Sequence, residues 1–323
     1  MPLIVTNATK DMLPSKEKEI LVAAPRGFCA GVVRAIETVE NTLDVHGAPV
    51  YVLHEIVHNR HVIAELEGKG AVFVEKLEDI PAGGICIFSA HGVSVAVEKK
   101  AAELGLKTID ATCPLVSSIH RIVEKYKREN YDIVIMGHHN HPEVEGTAGR
   151  VDNDVHIIAN EEEAEKLQLL KPERCAYVTQ TTLSQDDIDK MYTILCKRFP
   201  GIESSITNTC YATQNRQDAV KRLAAVTDVI LVVGSRNSSN SNRLKEVALR
   251  SGVDAYLVDD SNDIDREWLE DKYAIGITAG ASAPERLVEE VVDWIGKRWT
   301  ITYSELEGTE KKMYFKPAKL QGD

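Results

Sequence analysis

The sequence has no long hydrophobic run and no excess of positive charge. No apolar stretch approaches the ~20 residues that a helix needs to cross a bilayer. Its 38 Lys and Arg residues are outnumbered by 50 Asp and Glu residues, which gives a formal net charge of −12, whereas nucleic-acid-binding proteins usually present a basic face. We therefore expect no membrane and no nucleic acid among its partners.

The sequence also lacks the patterns of a secreted, disulfide-bonded protein. Residues 1–17 are polar and have neither the basic start nor the apolar stretch of a secretory signal, so we expect a loose N-terminal extension and a cytoplasmic location. Six cysteines in such a chain do not predict a disulfide framework. No CxxC pair occurs, so the usual spacing of a structural zinc site is missing.

What is present is a regular alternation of strand-like and helix-like segments. Short apolar runs such as YDIVIMG and DVILVVG alternate with amphipathic stretches such as SSIHRIVEKYKRE. This alternation predicts an α/β protein with mostly parallel sheets, whose ligands bind at the carboxyl ends of the strands.

A weak internal repeat places one cysteine before each of three helices that carry basic residues. The segments are RGFCAGVVRAIETVE, DATCPLVSSIHRIVEKY and TNTCYATQNRQDAVKRL. They lie about one small domain apart, so the repeat predicts three similar α/β units with one cysteine each. The predicted domains are 30–112, 113–208 and 209–298, between terminal extensions at 1–17 and 299–323.

These three cysteines, Cys29, Cys113 and Cys210, are candidate metal ligands. Thiolates are soft ligands that suit iron–sulfur clusters or zinc, and a helix N-terminus favours the thiolate. If the units pack around a pseudo-threefold axis, the three thiolates would hold three irons of one [4Fe–4S] cluster and leave the fourth iron open for substrate. The alternative is that they are structural, the role that we expect for the other three cysteines.

Histidines follow three predicted strands, at the ends where α/β active sites form. HEIVHNRH follows PVYVL, SAHGVS follows GICIF, and GHHNHPEVEGTAG follows YDIVIM. A single histidine is usually a surface or core residue, but three in corresponding positions favour a shared anion site. We choose His58, His91 and His141, because imidazole N–H groups can donate to phosphate oxygens.

Two further loops have the composition of an anion-binding cradle. GSRNSSNSNRLKE (234–246) follows a strand and opens a helix, and GITAGASAPE (276–285) combines small residues with Ser282. Backbone N–H groups at a helix N-terminus, with Ser and Asn side chains, bind phosphate groups. Helix capping is the alternative for each loop alone, but beside the histidines they favour a diphosphate or a similar anion.

Glu143 in HPE and Thr181 in TQTTLS are the candidates for proton transfer. In a dry pocket the protonated form of a carboxyl group is favoured, and the group can then act as a proton donor. A glutamate after a strand is more often a capping or surface residue, so this prediction depends on the neighbouring motifs.

HEIVH (54–58) matches the HExxH pattern and provides the rival chemistry, a zinc hydrolase. That pattern places both histidines on one face of a helix. Here the segment follows a strand directly, contains two β-branched residues and has no N-cap residue ahead of it, which disfavours a helix.

Together these segments resemble the LytB family of 4-hydroxy-3-methylbut-2-enyl diphosphate reductases, enzymes of the methylerythritol phosphate route to isoprenoids. The resemblance covers roughly residues 20–290, and its motifs occur in family order. They are PRGFCAGVVRA, HEIVHN, AHGVS, DATCPLV, GHHNHPEVEGTAG, TQTTLS, NTCYATQNRQ, GSRNSSNSNRL and TAGASAPE.

The resemblance implies a trefoil of three α/β domains around one [4Fe–4S] cluster per chain, held by Cys29, Cys113 and Cys210. It implies that the strand at 18–29 pairs into the third domain. It also implies that Glu143, Thr181 and His141 are the catalytic residues, with Glu143 and Thr181 beside the substrate hydroxyl. The residues implied to bind the substrate are His58, His91, His141, Thr181, Ser238, Ser239, Asn240 and Ser282.

The reaction that the resemblance implies is the reductive loss of the substrate hydroxyl. Substrate, two electrons and two protons give isopentenyl diphosphate or dimethylallyl diphosphate plus water, with electrons from a donor such as ferredoxin or flavodoxin. Two alternatives stay open at this point. One is a zinc metallohydrolase that uses HEIVH, and the other is a non-catalytic iron–sulfur protein that senses a phosphorylated ligand.

Overall fold

The computed structural model describes residues 17–151, 155–204, 210–308 and 313–320. Its strands are β1 (Lys18–Val22), β2 (Val50–Leu53), β3 (Ala71–Val74), β4 (Ile85–Phe88), β5 (Lys107–Asp110), β6 (Asp132–Met136), β7 (Val155–Ile158), β8 (Cys175–Thr179), β9 (Glu203–Ser204), β10 (Val229–Val233), β11 (Asp254–Val258), β12 (Ala274–Ala279) and β13 (Ile301–Glu305). Its helices are α1 (Ala30–His46), α2 (Arg60–Gly68), α3 (Val95–Glu103), α4 (Pro114–Arg128), α5 (Pro142–Ala148), α6 (Glu161–Lys166), α7 (Gln185–Arg198), α8 (Tyr211–Ala224), α9 (Ser239–Arg250) and α10 (Glu285–Gly296). In these ranges no helix is both long enough and apolar enough to cross a membrane.

Three separate parallel sheets form the framework, and they share one strand order. The first sheet runs β3-β2-β4-β5, the second β7-β6-β8-β9, and the third β11-β10-β12-β1-β13. Counted within its own unit, each sheet therefore begins with the second strand, then the first, then the third. The predicted α/β fold of three similar units in a trefoil is confirmed.

Helices cover the faces of the parallel sheets, because the chain returns from one parallel strand to the next through a helical crossover. All five residues of β10, VILVV, are buried, as a strand with cover on both faces requires. Its side chains alternate between two apolar clusters, with Leu231 and Val233 in one and Ile230 and Val232 in the other. The apolar core is thus divided into layers that flank the sheets.

β1 lies in the third sheet although it comes from the start of the described chain. It runs parallel to β12, with Ile20 opposite Ile275, and takes the place that β5 and β9 occupy in the other two sheets. The predicted domain limits stay a prediction. Residues 1–16 of the predicted extension at 1–17, and the predicted boundary at 208/209, lie outside the described residues.

Part of the C-terminal tail is a sheet strand, where the sequence predicts an extension over 299–323. β13 pairs with β1 at the edge of the third sheet, and Ala318 donates its backbone N–H to Thr38 Oγ1 in α1. Four of the five residues of β13 are exposed, so the strand lacks the apolar pattern from which a buried strand is predicted.

The strand order fixes where a ligand can bind. In each sheet the first and third strands of the unit are neighbours, and the connections that leave them run to opposite sides of the sheet. This divergence opens a crevice at the carboxyl ends of the two strands. The loops at these ends are 54–59, 89–94, 137–141, 180–184, 234–238 and 280–284. The helix that follows the fourth strand position starts directly after a cysteine in all three units.

Candidate active site

One cavity collects side chains from all three units. It is lined by the cysteines that precede helices and by loops at the carboxyl ends of strands. Its lining includes every residue that the sequence predicts for the site: Cys29, His58, His91, Cys113, His141, Glu143, Thr181, Cys210, Ser238, Ser239, Asn240 and Ser282. The roles of the individual residues stay predictions.

Cys29, Cys113 and Cys210 are the N-cap residues of α1, α4 and α8. Burial raises the pKa of Cys113 to about 12 and that of Cys210 to about 11, and nearby thiols of the same set add to both rises. Backbone N–H groups in the first turns of α4 and α8 oppose these rises. The three thiols therefore lie close enough to influence one another, each at a positive helix terminus.

The three thiols fit a multi-iron group better than a single ion. A Cβ atom on residue 31, which is glycine, would lie 2.7 Å from Cys113 Sγ and 3.9 Å from Cys29 Sγ, so a side chain there would fill the space between these sulfurs. In the ranges that the structure covers, no three His, Cys, Asp or Glu side chains converge on one metal ion. In a [4Fe–4S] cluster each cysteine ligand binds a different iron, so thiols spread around a shared space are what such a cluster needs.

The remaining three cysteines lie away from the cavity. Cys86 in β4 and Cys175 in β8 are fully buried, and Cys196 is in α7. Burial raises the pKa of Cys86 to about 12 and that of Cys175 to about 11. The pKa therefore does not distinguish Cys113 and Cys210 from Cys86 and Cys175, whereas their location does.

The three predicted histidines form one cluster on the cavity wall. The rings of His58 and His91 are stacked with centroids 4.2 Å apart, and His141 stands edge-on to them at 5.6 and 5.8 Å. Burial lowers the pKa of His91 well below its ordinary value and that of His141 to about 3, and neighbouring histidines lower both further. At neutral pH these two rings are uncharged, and each can offer one N–H to a ligand.

The contacts of His141 show which of its nitrogens carries the proton. His141 is the N-cap of α5, and its Nδ1 accepts the backbone N–H of Glu143 over 3.2 Å. A ring nitrogen that accepts a hydrogen bond has no proton, so the neutral ring is protonated on Nε2. His141 can therefore donate Nε2–H to an anion in the cavity.

Glu143 is an enclosed carboxyl group in the first turn of α5. Its two oxygens accept hydrogen bonds from the backbone N–H of Thr181, at 2.6 Å, and from the hydroxyl of Thr181, at 2.8 Å. Burial raises the pKa of Glu143, and the bonds from Thr181 oppose that rise. The carboxyl group thus has the dry surroundings that a proton donor requires.

The third unit contributes the start of α9. The Ser238 hydroxyl caps this helix by accepting the backbone N–H of Ser241 over 3.3 Å. Asn240 is only 5% exposed, and within the described residues neither polar atom of its amide has a hydrogen-bond partner. Leaving a buried polar group unpaired costs roughly 1–3 kcal/mol, so Asn240 indicates that a polar ligand completes this wall.

Sequence reasoning missed the hydrogen bonds that join the units around the cavity. Gln180 Nε2 donates to Thr182 Oγ1 over 2.7 Å, and that oxygen lies 2.8 Å from Ser239 Oγ. Ser282 also joins two units, because its hydroxyl donates to the backbone carbonyl of His58 over 3.0 Å. The segment TQTTLS already contained a signal for the first of these hydrogen bonds, because Gln180 and Thr182 flank Thr181, the threonine chosen as a site residue.

HEIVH does not form the helix that a zinc hydrolase needs. Residues 54–59 are a non-helical connection between β2 and α2, and His54 has a left-handed backbone with a φ of 57°. His54 pairs with Glu75 at an exposed position, Nδ1 to Oε2 at 3.0 Å, whereas His58 lines the cavity. The geometry gives the zinc-hydrolase alternative no support.

Comparison with known sequences gives a match to the family described as LytB protein, over residues 20–296. A relative from Desulfotalea psychrophila is 61% identical over 305 residues, which cover 94% of this chain and 97% of that protein. A relative from Bordetella pertussis is 53% identical over 300 residues, which cover 93% and 92%. Both are named 4-hydroxy-3-methylbut-2-enyl diphosphate reductase.

Solved structures of two such reductases have similar folds. The E-1-hydroxy-2-methyl-but-2-enyl-4-diphosphate reductase from Plasmodium falciparum matches with a TM-score of 0.88 and 39% identity, over 94% of this chain and 96% of that one. A second structure, titled as the terminal enzyme of the non-mevalonate pathway, has a TM-score of 0.63 and 32% identity, over 87% and 99%. The resemblance inferred from the motifs is confirmed. With most of its length matched in sequence and in fold, the chain belongs to the LytB family.

Proposed function

We propose that this chain reduces 4-hydroxy-3-methylbut-2-enyl diphosphate to isopentenyl diphosphate and dimethylallyl diphosphate. Two electrons and two protons enter, the carbon–oxygen bond of the hydroxyl breaks, and water leaves. The observation that carries the proposal is one cavity that contains three thiols, an enclosed carboxyl group and an amide without a partner among the described residues. The names of its relatives specify the substrate.

Membership in the LytB family implies a metal cofactor, which we assign as one [4Fe–4S] cluster. Cys29, Cys113 and Cys210 would hold it, because they line one cavity and do not converge on a single ion. When bound, such a cluster would supply electrons and Lewis-acid chemistry for the loss of the hydroxyl. The space that Gly31 leaves between two of the sulfurs supports this assignment.

The diphosphate would bind where donors from all three units meet. His141 offers Nε2–H, and Asn240 offers an amide that has no partner in the part of the chain that the structure describes. Ser238 and Ser239 stand at the start of α9, whose terminus favours an anion. His58, His91 and Ser282 complete this wall. Local donors are essential in a chain with a net charge of −12, which otherwise repels an anionic substrate. Binding the diphosphate, which does not react, positions the hydroxyl for reduction.

Glu143 would supply the proton with which the hydroxyl leaves as water. Its carboxyl group is buried and contacts the Thr181 hydroxyl, which can pass a proton or hold the substrate hydroxyl in place. Because burial raises its pKa, Glu143 keeps a proton more readily than an exposed glutamate. His141 lies two positions before Glu143 in the chain. It would hold the phosphate oxygen nearest to Glu143.

We assign the supply of electrons to a small carrier such as ferredoxin or flavodoxin, since the reaction needs two electrons in each turnover. We assign the chain to the cytoplasm, because none of its six cysteines is paired in a disulfide bond, as is usual in reducing surroundings.

The proposal is tested by turnover of the anaerobically reconstituted protein with dithionite-reduced methyl viologen and 4-hydroxy-3-methylbut-2-enyl diphosphate. We expect isopentenyl and dimethylallyl diphosphate as products, measured by mass spectrometry, and no product without the reductant. Protein with a full iron and sulfide content that binds the substrate but forms no product would instead indicate a non-catalytic sensor.

A further inference from the structure

His58 differs from His141 in the partner of its Nδ1 atom. His58 Nδ1 lies 2.8 Å from Glu55 Oε2, and the same oxygen accepts Nδ2–H of Asn237 over 2.7 Å. An ionised carboxylate only accepts hydrogen bonds. His58 Nδ1 must therefore carry a proton, whereas Nδ1 of His141 accepts a backbone N–H and carries none.

When a neutral His58 ring carries its proton on Nδ1, its Nε2 has no proton. This Nε2 is buried, belongs to a residue that lines the cavity, and has no hydrogen-bond partner within the described part of the chain. Lone pairs on Nε2 and on a phosphate oxygen repel each other. His58 can donate to an anionic ligand only after a second proton has converted it to imidazolium.

We propose that His58 takes up one proton from solvent on Nε2 when the diphosphate ligand binds, and that Glu55 is the positioning residue that pairs with the resulting imidazolium. The inference rests on the proposed function and deepens it, because it divides the work among the histidines. His141 binds the diphosphate as a neutral donor, and His58 binds it as a cation.

The groups around His58 make Glu55 the natural partner of this charge. The ring stacks on His91 and stands edge-on to His141, and burial lowers the pKa of both, so both are neutral at neutral pH. Glu143 has a Coulombic interaction with His58, and burial raises the pKa of its carboxyl group. Among the described residues, Glu55 is the carboxylate at hydrogen-bonding distance from the ring.

Asn237 connects this pair to the third unit. It directly precedes Ser238, the N-cap of α9, and Ser282 of the same unit holds the backbone carbonyl of His58. The third unit thus holds the His58 ring through Asn237, which bonds to Glu55, and holds the His58 backbone through Ser282. Asn237 is neutral, so its removal would loosen the arrangement without removing the charge that Glu55 supplies.

The proton uptake can be counted by titration calorimetry of the cluster-loaded protein with inorganic diphosphate at pH 8 under anaerobic conditions. The slope of the observed binding enthalpy against the ionisation enthalpy of the buffer gives the number of protons taken up. We expect wild type to take up about one proton more than Glu55→Gln, since only the carboxylate pairs with the imidazolium. We expect the Kd of the variant to rise roughly ten- to hundred-fold, as for loss of a charge-assisted hydrogen bond.

Three further variants separate charge from structure. His58→Asn keeps an N–H toward Glu55 but has no second ring nitrogen, so it should also lack the extra proton. Asn237→Ala should weaken binding several-fold and leave the proton count as in wild type. Glu75→Gln removes a similar glutamate–histidine pair, with His54, at an exposed position outside the cavity, and should change neither quantity.

The possible results distinguish the inference from the proposed function. Equal proton counts for wild type and His58→Asn would overturn the inference, even if Glu55→Gln failed to fold. A wild-type protein that loads its cluster but does not bind diphosphate at all would overturn the proposed function as well. Binding with one extra proton in wild type, and without it in both substituted proteins, is the result that we expect.

Discussion

Cys113 and Cys86 have the same functional group, and burial raises the pKa of both thiols to about 12, yet their surroundings differ. Cys86 lies within β4 among apolar side chains such as Leu53 and Phe88. Cys113 precedes α4 and faces a cavity that two other thiols share. The comparison teaches that position at a helix start on the shared cavity, and not burial, distinguishes the candidate ligands from structural cysteines.

The same contrast applies to other residue types. Glu143 and Glu163 both lie in the first turn of a helix, but Glu163 is near the surface and pairs with His139. Asn240 and Asn160 both stand at a helix start, but Asn160 caps its helix while both amide atoms of Asn240 lack a partner in the described ranges. Each pair offers a substitution in the cavity and a matched one outside it.

The largest effect is expected for the cysteines. Cys113→Ser should abolish the brown iron–sulfur chromophore and nearly all turnover, because an alcohol is a poor ligand for iron where a thiolate is needed. Cys196→Ser, in α7 and away from the cavity, should keep both. Visible absorption and activity after anaerobic reconstitution check this, and equal bleaching of the two variants would break the comparison.

For the glutamates, we expect Glu143→Gln to lower turnover by roughly 10²–10⁴-fold, the usual worth of general acid catalysis. The amide keeps the volume and can still accept the N–H of Thr181 and donate to its hydroxyl, but it is not an acid. Cluster content and substrate affinity should stay close to wild type. Glu163→Gln is the matched control and should turn over normally; near-normal turnover of Glu143→Gln would contradict the assignment.

A buried histidine outside the cavity should control stability and not activity. Burial, with Arg150 as the next cause, lowers the pKa of His120 to about 4. Because the unfolded chain binds this proton first as the pH falls, stability should be lost between pH 6.5 and about 4, by on the order of 3 kcal/mol. His120→Leu should flatten this part of the unfolding curve, measured by denaturant titration, without changing turnover at neutral pH. An unchanged pH dependence would contradict the assignment.

The smallest effect is expected for the asparagines. Asn240→Ala should weaken substrate binding by roughly 1–3 kcal/mol, the cost of losing a partner in a buried polar contact. Asn160→Ala should leave binding unchanged and lower the free energy of unfolding by about 1 kcal/mol, because it removes a helix cap. Calorimetry for affinity and thermal unfolding for stability separate the two results, and equal affinities would place the anion site elsewhere.

The sequence was sufficient to predict the α/β class, the three similar units and most of the polar residues that line the cavity. The fold class, the three units and the cysteines and histidines follow from local patterns: apolar runs, and a cysteine or histidine at a fixed place beside a strand or helix. The choice of Ser238, Ser239 and Asn240 within their loop came from the family resemblance. Strands without such a pattern were missed. β5, KTID, has one buried residue among its four, and β13 is an exposed edge strand.

Contacts between units could not be predicted, because they depend on how the three sheets are placed. No local pattern brings Ser239 next to Thr182, or Asn237 next to Glu55. For the same reason the sequence chose His58 and His141 for one role, whereas their Nδ1 partners, a carboxylate and a backbone N–H, make them different. The protonation of each ring is a property of its surroundings in the folded chain.

The most direct test of the account is a count of iron and sulfide, with an electron paramagnetic resonance spectrum, for the anaerobically purified wild-type protein and Cys113→Ser. For wild type the account predicts about four irons and four sulfides per chain, and a spectrum of the reduced cluster that changes when substrate is added. Cys113→Ser should contain little of either element. A wild-type protein that contains zinc in place of iron, or a full cluster in Cys113→Ser, would contradict the claim that these three cysteines hold the cluster.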